Sequence, residues 1–497
     1  MLIVLAVSAF STWLLIRQYQ RASRLPPGPI SLPIIGSLPQ ILYFMWKNGG
    51  VVPCFDFLRK KYGNIFTLWL GPVPLVNICD YETSHEVFVK HANKYADKLS
   101  PPIIREMRKD IGVLNTNGDH WQEMRRFSLQ TFRNMGVGKN VMELRIMEEL
   151  DARCADIDKM AVNGSTVTKA SDFFDLTVGS IINSILVGKR FEENTKHEFL
   201  VIKNALDKGF EVFTAFDMIL PVWFTKYVMK SHFDHMVKVN DDSKDFAARD
   251  AVERYRKFKS GKYTVDENDL DDYTDAFLLK IQQEGENENF NLESLKTMIL
   301  DLWITGQETT STTLVSGFSH LLMNPHMMDK ARNEILKVTE NGSRYLTLED
   351  RPSTPYLNAV IGEVQRHASV LNINFMRYNY EPVIMGGHPV DGGCLVSAQL
   401  GALHVNEEMF KNPYDFDPER YMNNDNLLPQ TIPFGLGKRS CLGEALARSE
   451  LYLIFGNLLL RYQFRPHGTL SSLELNPFSA AKKPYKMEME FIKIQNK

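Results

Sequence analysis

The spacing of apolar and polar positions divides the chain into a helical middle with strands gathered near both ends. Between Asn64 and Asp80 the two classes alternate around Gly71-Pro72, which predicts a β-hairpin. From there to about Met323 the apolar positions recur with helical spacing. The longest such pattern runs from Leu292 to Met323 and stops at Asn324-Pro325, because the residue before a proline is pushed out of the helical region. At about 1.5 Å per residue this helix is almost 50 Å long, enough to cross a whole domain. A charged stretch from Asp250 to Asp272 reads as a solvated face or loop with no chemistry in it. Beyond Arg377 short strands reappear, Glu444 to Leu460 is again helical, and Tyr485, Met487, Met489 and Phe491 alternate with Lys486, Glu488 and Glu490 in a final strand. No internal repeat and no linker divides residues 40–497, which read as one mainly α, helix-rich α+β domain with small β-sheets.

The first residues have a different character. Residues 1–16 are uncharged and mostly apolar, and Arg17, Arg21 and Arg24 follow at once. This predicts an N-terminal membrane anchor whose positive flank lies in the cytosol. The run is shorter than the roughly 20 residues that span a bilayer comfortably, so a cleaved signal peptide is the competing reading. Against cleavage, no basic residue precedes the run and no clear A-x-A site follows it. Residues 17–39 then combine the basic flank with Pro26, Pro27, Pro29, Pro33 and Pro39, a stretch too rich in proline for helix, read as a stiff hinge.

Composition narrows the function by exclusion. A net charge of −3 over 497 residues gives no reason to expect nucleic acid as a partner. The 5 cysteines are scattered, odd in number and without a CxxC pair, which argues against a zinc site or a disulfide framework and fits a reducing compartment.

One cysteine stands apart. Cys441 lies in Phe434-Gly-Leu-Gly-Lys-Arg-Ser-Cys-Leu-Gly443, where Gly435 and Gly437 let the backbone lie close under a flat macrocycle and Phe434 can shield a sulfur. Arg439 can pair with a propionate. The helix that follows Cys441, together with Arg439, favours a thiolate there. Thiolate ligation of haem iron favours O–O cleavage, so the chemistry implied is oxygen activation. A lone cysteine is usually a small buried hydrophobe, and the assignment rests on the whole segment being in register.

Within the long helix, Thr305-Gly306-Gln307-Glu308-Thr309-Thr310 is locally weak, since glycine costs about 1 kcal/mol against alanine and threonines compete for backbone carbonyls. Two readings compete: close packing against another helix with the threonines bonded back to preceding carbonyls, or an opening with a function. Glu363 and Arg366 lie three apart on one helical face, and Trp121 and Arg125 lie four apart, one turn, on another.

The segment around Cys441 resembles the cytochrome P-450 family, whose haem signature FxxGxRxCxG is met at Phe434, Gly437, Arg439, Cys441 and Gly443. The resemblance extends from the proline stretch to the C-terminus and is closest to the microsomal enzymes of the family 2 clan. It implies the P-450 fold, haem b held by Cys441 as axial ligand, and an A/G-G-x-D/E-T motif at Thr305 to Thr309. In that motif Thr309 would hydrogen-bond oxygen above the iron, and Glu308 would help relay protons to it. It implies a structural network of Glu363, Arg366 and Arg420, the last in Asp417-Pro-Glu-Arg420. It further implies haem propionate contacts from Trp121, Arg125, Arg377 and Lys98, with Lys98 standing where relatives often have arginine.

Ile304 and Thr305 occupy positions usually small and apolar in related enzymes, which implies a narrower, slightly more polar ceiling over the haem. By position relative to the motifs, the substrate pocket would take Ile103, Ile104, Met107, Phe210, Phe213, Phe216, Trp303, Ile304, Thr305, Leu371, Ile373 and Phe478, with Asn372 where relatives often have proline. Most are apolar, which implies a lipophilic small molecule such as a xenobiotic, fatty acid or steroid.

The resemblance makes the chain a monooxygenase of the endoplasmic reticulum membrane with its catalytic domain facing the cytosol. Electrons would come from NADPH through a separate NADPH–cytochrome P-450 reductase, docked near Arg125, Arg126 and Lys438, with cytochrome b5 as an accessory donor. A haem-thiolate isomerase or dehydratase is the alternative among enzymes, though such enzymes often lose the acid–threonine pair. A non-catalytic haem-binding sensor is the alternative outside them.

Overall fold

The computed structural model describes residues 9, 12–13, 16–137, 140–213, 217, 220–267, 270–371, 373–468, 470 and 487–494. Most of the expected anchor in residues 1–16 therefore lies outside the described residues, as do Tyr485 and Lys486 of the expected last strand.

The longer helices are α1 (Leu38–Asn48), α2 (Val51–Tyr62), α3 (Pro102–Arg108), α4 (Gly118–Asn134), α5 (Asn140–Met160), α6 (Ala170–Val187), α7 (Glu193–Val212), α8 (Lys230–Lys259), α9 (Tyr273–Glu284), α10 (Leu292–Met323), α11 (Pro325–Val338), α12 (Pro355–Ala368) and α13 (Glu444–Arg461). The predicted hairpin is present as β1 (Ile65–Leu70) and β2 (Val73–Ile78), turning on Gly71 at φ +60°. With β4 (Arg377–Asn379) and β7 (Cys394–Ala398) they form a sheet in the order β1-β2-β7-β4, in which only β2 and β7 run parallel. β5 (Val383–Met385) and β6 (His388–Val390) make a separate hairpin.

The last strand, β9 (Glu488–Lys493), lies between β3 (Ser165–Lys169) and β8 (Tyr462–His467). Met489 and Phe491 face inward from it, as the alternation predicts. β3 interrupts a region whose spacing reads as mainly helical; at five residues, mostly Ser and Thr, it offers no long apolar alternation.

α10 begins where Asn291 accepts a hydrogen bond from the Ser294 amide and ends before Pro325, matching the predicted bounds. It is the axis of the main core. Phe318 stacks between Phe174 of α6 and Phe455 of α13, with ring centroids 5.2 and 5.0 Å away, and Gly317 lets the Phe455 ring seat against the helix. Among the described residues the helix long and apolar enough to cross a membrane is α6, and it is largely buried in this core.

One expectation needs correction. The charged stretch is more than a solvated loop: Arg254 reaches Asp272 at 2.6 Å and Asp275 at 2.9 Å, and both carboxylates are buried. Asp272 also caps α9 by accepting from the Asp275 amide. Charge density alone cannot reveal such closure, because exposed and buried ion pairs read alike in sequence. The proline stretch, read as a stiff hinge, is in addition bonded to the domain. Its Pro27 carbonyl accepts from Thr67 N at 2.9 Å, Gly36 bridges Leu70, and Ser37 N donates to Trp69 O at 2.9 Å, so the segment lies along the outer edge of β1.

Candidate haem site

Cys441 is the exposed member of the cysteines; Cys54, Cys79, Cys154 and Cys394 are all buried. Its loop is closed by its own amide donating to Phe434 O at 2.9 Å and is pinned from α4, where Arg125 Nη2 donates to Ser440 O at 2.8 Å. Gly435 and Gly437 both have positive φ, at +71° and +75°. A Cβ on Gly437 would fall 1.8 Å from Phe88 O, so a neighbouring backbone requires this glycine in its own right. Gly443 has neither positive φ nor a protein atom near its missing Cβ. Its small size instead leaves free space beside the cysteine.

Burial pushes the Cys441 thiol above its ordinary value, against the Gly443 amide and Arg125, which favour the thiolate. The sequence pairs the sulfur with Arg439, whereas the guanidinium acting on it belongs to Arg125. A bound metal cation would reverse the balance and deprotonate a coordinating thiol outright.

Arg439 is held elsewhere. Its Nε donates to Ala96 O at 2.6 Å and its Nη2 to Thr116 O and Asn117 Oδ1 at 2.8 Å, while its guanidinium lies 3.5 Å from the Trp121 ring centre. Lys98 bridges Arg377 across paired segments and sets its Nζ 3.8 Å over the Phe375 ring. These cations lower one another's pKa. Burial and the guanidiniums of Arg377 and Arg439 hold Lys98 well below its usual range, burial and Arg125 lower Arg377 to about 10, and burial and Arg377 lower Arg439 to about 9. Nη1 of Arg377 and Nη1 of Arg439 are buried without a hydrogen-bond partner. Buried like charges with open donors call for an anion, and a dianionic group beside Cys441 satisfies both requirements.

Along α10 every residue from Thr297 to Leu322 is buried except Ile304, Thr305, Gly306 and Thr309. The helix is unbroken there. Thr305 Oγ1 donates to Asp301 O at 2.7 Å, Thr309 Oγ1 to Thr305 O at 2.9 Å and Thr313 Oγ1 to Thr309 O at 2.8 Å. A Cβ on Gly306 would meet Ile182 Cδ1 of α6 at 2.7 Å. Close packing is thus compatible with the glycine, and back-bonding with the threonines. Glu308 diverges from Thr309: it is buried and pairs with Lys203 of α7 at 3.0 Å.

The Glu363 carboxylate is fully enclosed. Its Oε1 accepts from Arg366 Nη2 at 2.7 Å, Arg420 Nε at 3.1 Å and the Asp417 amide at 2.9 Å. Arg366 also donates to His404 O and Pro413 O, tying α12 to the segment that leads to Cys441. Burial opposes ionisation of Glu363, yet hydrogen bonds from Arg366 and His367 hold its carboxyl far below the usual range.

The expected pocket residues divide. Ile103, Ile104, Met107 and Phe213 gather against Phe233 and Met236 of α8. Trp303 is instead sealed in the core, edge-on to Phe199 and Phe246, and offers nothing to a pocket. Leu371 is half-buried, and Ile373 packs against β-sheet residues including Leu75 and Leu395. Phe216, Asn372 and Phe478 lie outside the described residues, as does the side chain of Phe210. Sequence reasoning missed Lys203 and Asp175 around Glu308; the Lys203/Asp207 spacing on a helix reads as an ordinary surface pair. It also missed Asp301, which accepts from the Val113 and Leu114 amides and pairs with Arg108 at 3.1 Å, clamping the loop after α3 to α10.

A profile of the cytochrome P450 family matches residues 26–491. The chain belongs to that family. Among similar proteins, "Probable cytochrome P450 cyp-35D1" of Caenorhabditis elegans is 48% identical over 501 residues, covering 99% of this chain and 100% of its own. "Cytochrome P450 2B9" of Mus musculus is 32% identical over 485 residues, covering 96% and 95%, and "Cytochrome P450 2C23" of Rattus norvegicus is 32% identical over 502 residues, covering 97% and 96%. The protein is thus a P450 monooxygenase with the family's haem cofactor, and the helix-rich domain with small sheets is the P450 fold.

Proposed function

We propose that this P450 oxidises lipophilic small molecules such as xenobiotics, fatty acids or steroids, by hydroxylation or epoxidation, with Cys441 as the axial ligand of its haem. The observation that carries the ligand assignment is the cluster of buried Lys98 and Arg377 with half-buried Arg125 and Arg439, mutually repelling and with open donors on Arg377 and Arg439, in the same neighbourhood as the exposed thiol. Lys98, Arg377 and Arg439 would hold the propionates; Arg125, bound to the loop itself, would position the cysteine. When bound, haem supplies activation of molecular oxygen. The chain's own residues supply the rest. Thr309 presents a hydroxyl on the uncovered face of α10, Glu308 holds and releases a proton behind it, and the apolar group of Ile103, Ile104, Met107 and Phe213 excludes water from the substrate side.

The same reading puts the protein on the endoplasmic reticulum membrane through residues 1–16, with residues 40–497 as the catalytic domain on the cytosolic side. It takes electrons from NADPH–cytochrome P-450 reductase, with cytochrome b5 as an accessory donor. The family 2 names among its relatives support this reading. The test begins with the reduced, carbon monoxide-treated difference spectrum. A thiolate-type Soret band that is lost in Cys441→Ala is expected, and an imidazole-type band from a folded, haem-loaded sample would overturn the ligand assignment. NADPH consumption above that of reductase alone, with product from a lipophilic panel, separates a monooxygenase from a haem-binding sensor or a reductase-independent isomerase.

A further inference from the structure

His404 is fully buried at the end of the short helical turn Leu400–His404, and both nitrogens of its ring are engaged. Nε2 accepts from the Ile432 amide at 3.1 Å, and Nδ1 lies 2.8 Å from Ser369 Oγ. An amide can only donate, so Nε2 carries a lone pair; the proton of the neutral ring then sits on Nδ1 and is given to the serine. One tautomer of one charge state fits, and the two partners select it. Ser369 is itself held in place: it ends α12 in the left-handed region, at φ +34°, with its amide bonded to Gln365 O at 3.1 Å. The ring is edge-on to Phe410, with centroids 6.3 Å apart. The Arg366 guanidinium covers that phenylalanine at 5.0 Å and donates to His404 O at 2.7 Å.

From Ile432 the bonds continue to the cysteine. Ile432 O accepts from the Gly435 amide at 3.1 Å, and Phe434 O accepts from the Cys441 amide at 2.9 Å. Pro433 stands between Ile432 and Phe434 with its φ fixed by its ring, so a displacement at Ile432 passes to Phe434 instead of being absorbed. The Glu363 network holds backbone at His404, Pro413 and Asp417, and the His404 side chain carries that order forward to Ile432. We infer that His404 is a positioning residue for the thiolate ligand: its neutral ring seats the Ile432 amide and so fixes where the chain enters the Cys441 loop. This rests on the reading of Cys441 as the axial ligand. Without the acceptor the Ile432 N–H is buried with no partner, and the chain shifts to find one. The shift reaches the carbonyl that holds the Cys441 amide, and the sulfur loses its fixed place while the rest of the domain stays folded.

The test compares two replacements of the full-length, haem-loaded protein. In His404→Gln the amide reaches the place of Nε2 and can accept from Ile432; in His404→Asn it reaches only the place of Nδ1 and can keep Ser369. The readouts are the reduced, carbon monoxide-treated difference spectrum at equal haem loading, and hydrogen exchange by mass spectrometry in peptides that end at Phe434. His404→Gln should keep the thiolate-type Soret band and a slow Ile432 amide. His404→Asn should lose most of that band, with exchange at Ile432 faster by about tenfold, the scale of one hydrogen bond. Ser369→Ala is the second arm should His404→Asn fail to fold. It leaves the ring in place and removes the partner that selects its tautomer, so the Ile432 amide should again exchange faster. Thiolate bands kept alike in His404→Gln and His404→Asn, or lost alike in step with their thermal midpoints, overturn the inference. So does an Ile432 amide that stays slow in both His404→Asn and Ser369→Ala. A wild type without the thiolate-type band overturns the Cys441 reading instead, and the exchange arm then decides by itself whether His404 seats the loop.

Discussion

At the scale of single residues, the same side chain can satisfy a motif and a packing rule, and only substitution separates them. Gly306 matches an oxygen-side motif, yet its missing Cβ would meet Ile182 Cδ1 at 2.7 Å. That contact is the end of a flexible side chain, so Gly306→Ala should destabilise by about 1–3 kcal/mol. Gly306→Ala with Ile182→Val should recover most of it. Thermal midpoints of the two proteins check the packing account, and peroxide release by the double variant checks whether the oxygen side is independently disturbed. Glu363 makes the opposite case, where motif and physics agree. It is the shared acceptor for Arg366 and Arg420, both enclosed, so Glu363→Ala leaves guanidinium charge buried without a partner at about 3–5 kcal/mol. The expected outcome is soluble or aggregated protein without haem absorbance. Retention of a normal Soret band would contradict it. These residues were legible because their spacing is local. Lys203 was not, because its partners come from α6 and α10 and no spacing within one helix can announce a contact between three.

At the scale of elements, the long regular pieces were readable and the short or edge-bound ones were not. The bounds of α10 follow from Asn291 at one end and Pro325 at the other, and the β1–β2 hairpin from its alternation and glycine turn. β3 and the burial of Asp272 depend on what packs over them, which the local pattern does not encode. A second packing-dependent group is Glu450 of α13, wholly buried, with burial raising its carboxyl to about 8 against a hydrogen bond with Thr310 of α10. The acid is therefore neutral in the fold at pH 7. Its unfolded-state value is near the ordinary 4.5, so the folded state holds the proton more tightly. Stability from this group is full below about pH 4.5 and is lost as pH rises to about 8, at about 1 kcal/mol per pH unit in that window. Glu450→Gln keeps a neutral amide of the same shape and removes the proton linkage. The variant should show a flatter dependence of thermal midpoint on pH across that window, gaining on the wild type toward the alkaline end. Parallel curves for the two proteins would mean that Glu450 is ionised in the folded state.

At the scale of the whole molecule, if residues 1–16 are the anchor proposed above, the segment joining them to the domain would decide how the catalytic unit is held at a membrane. A free hinge would let the domain swing. Here Arg21 donates to Gly393 O at 3.0 Å, Leu25 is buried, and Pro27, Gly36 and Ser37 each pair with the edge of β1. Gly28 and Gly36 are pressed so closely on that strand that a Cβ would fall 2.0 Å from Thr67 O and 2.2 Å from Trp69 O. β1 is the outer strand of its sheet, and an uncovered edge is a template for pairing with another chain. The proline stretch thus has two tasks: it covers this edge, and it carries the fixed geometry of the domain out to residue 21. Removing residues 1–16 should leave the thermal midpoint unchanged and give a state of association in detergent-free buffer that does not change across protein concentrations. Removing residues 1–37 should lower the midpoint and produce self-association seen by light scattering, because the Thr67 amide and the Trp69 amide and carbonyl lose their partners together. Equal behaviour of the two truncations would show that the strap adds no stability, and the domain would then be free to pivot on its anchor. A lowered midpoint confined to the longer truncation would mean that the orientation of the domain at the membrane is set by hydrogen bonds to β1 as well as by the stiffness of the prolines.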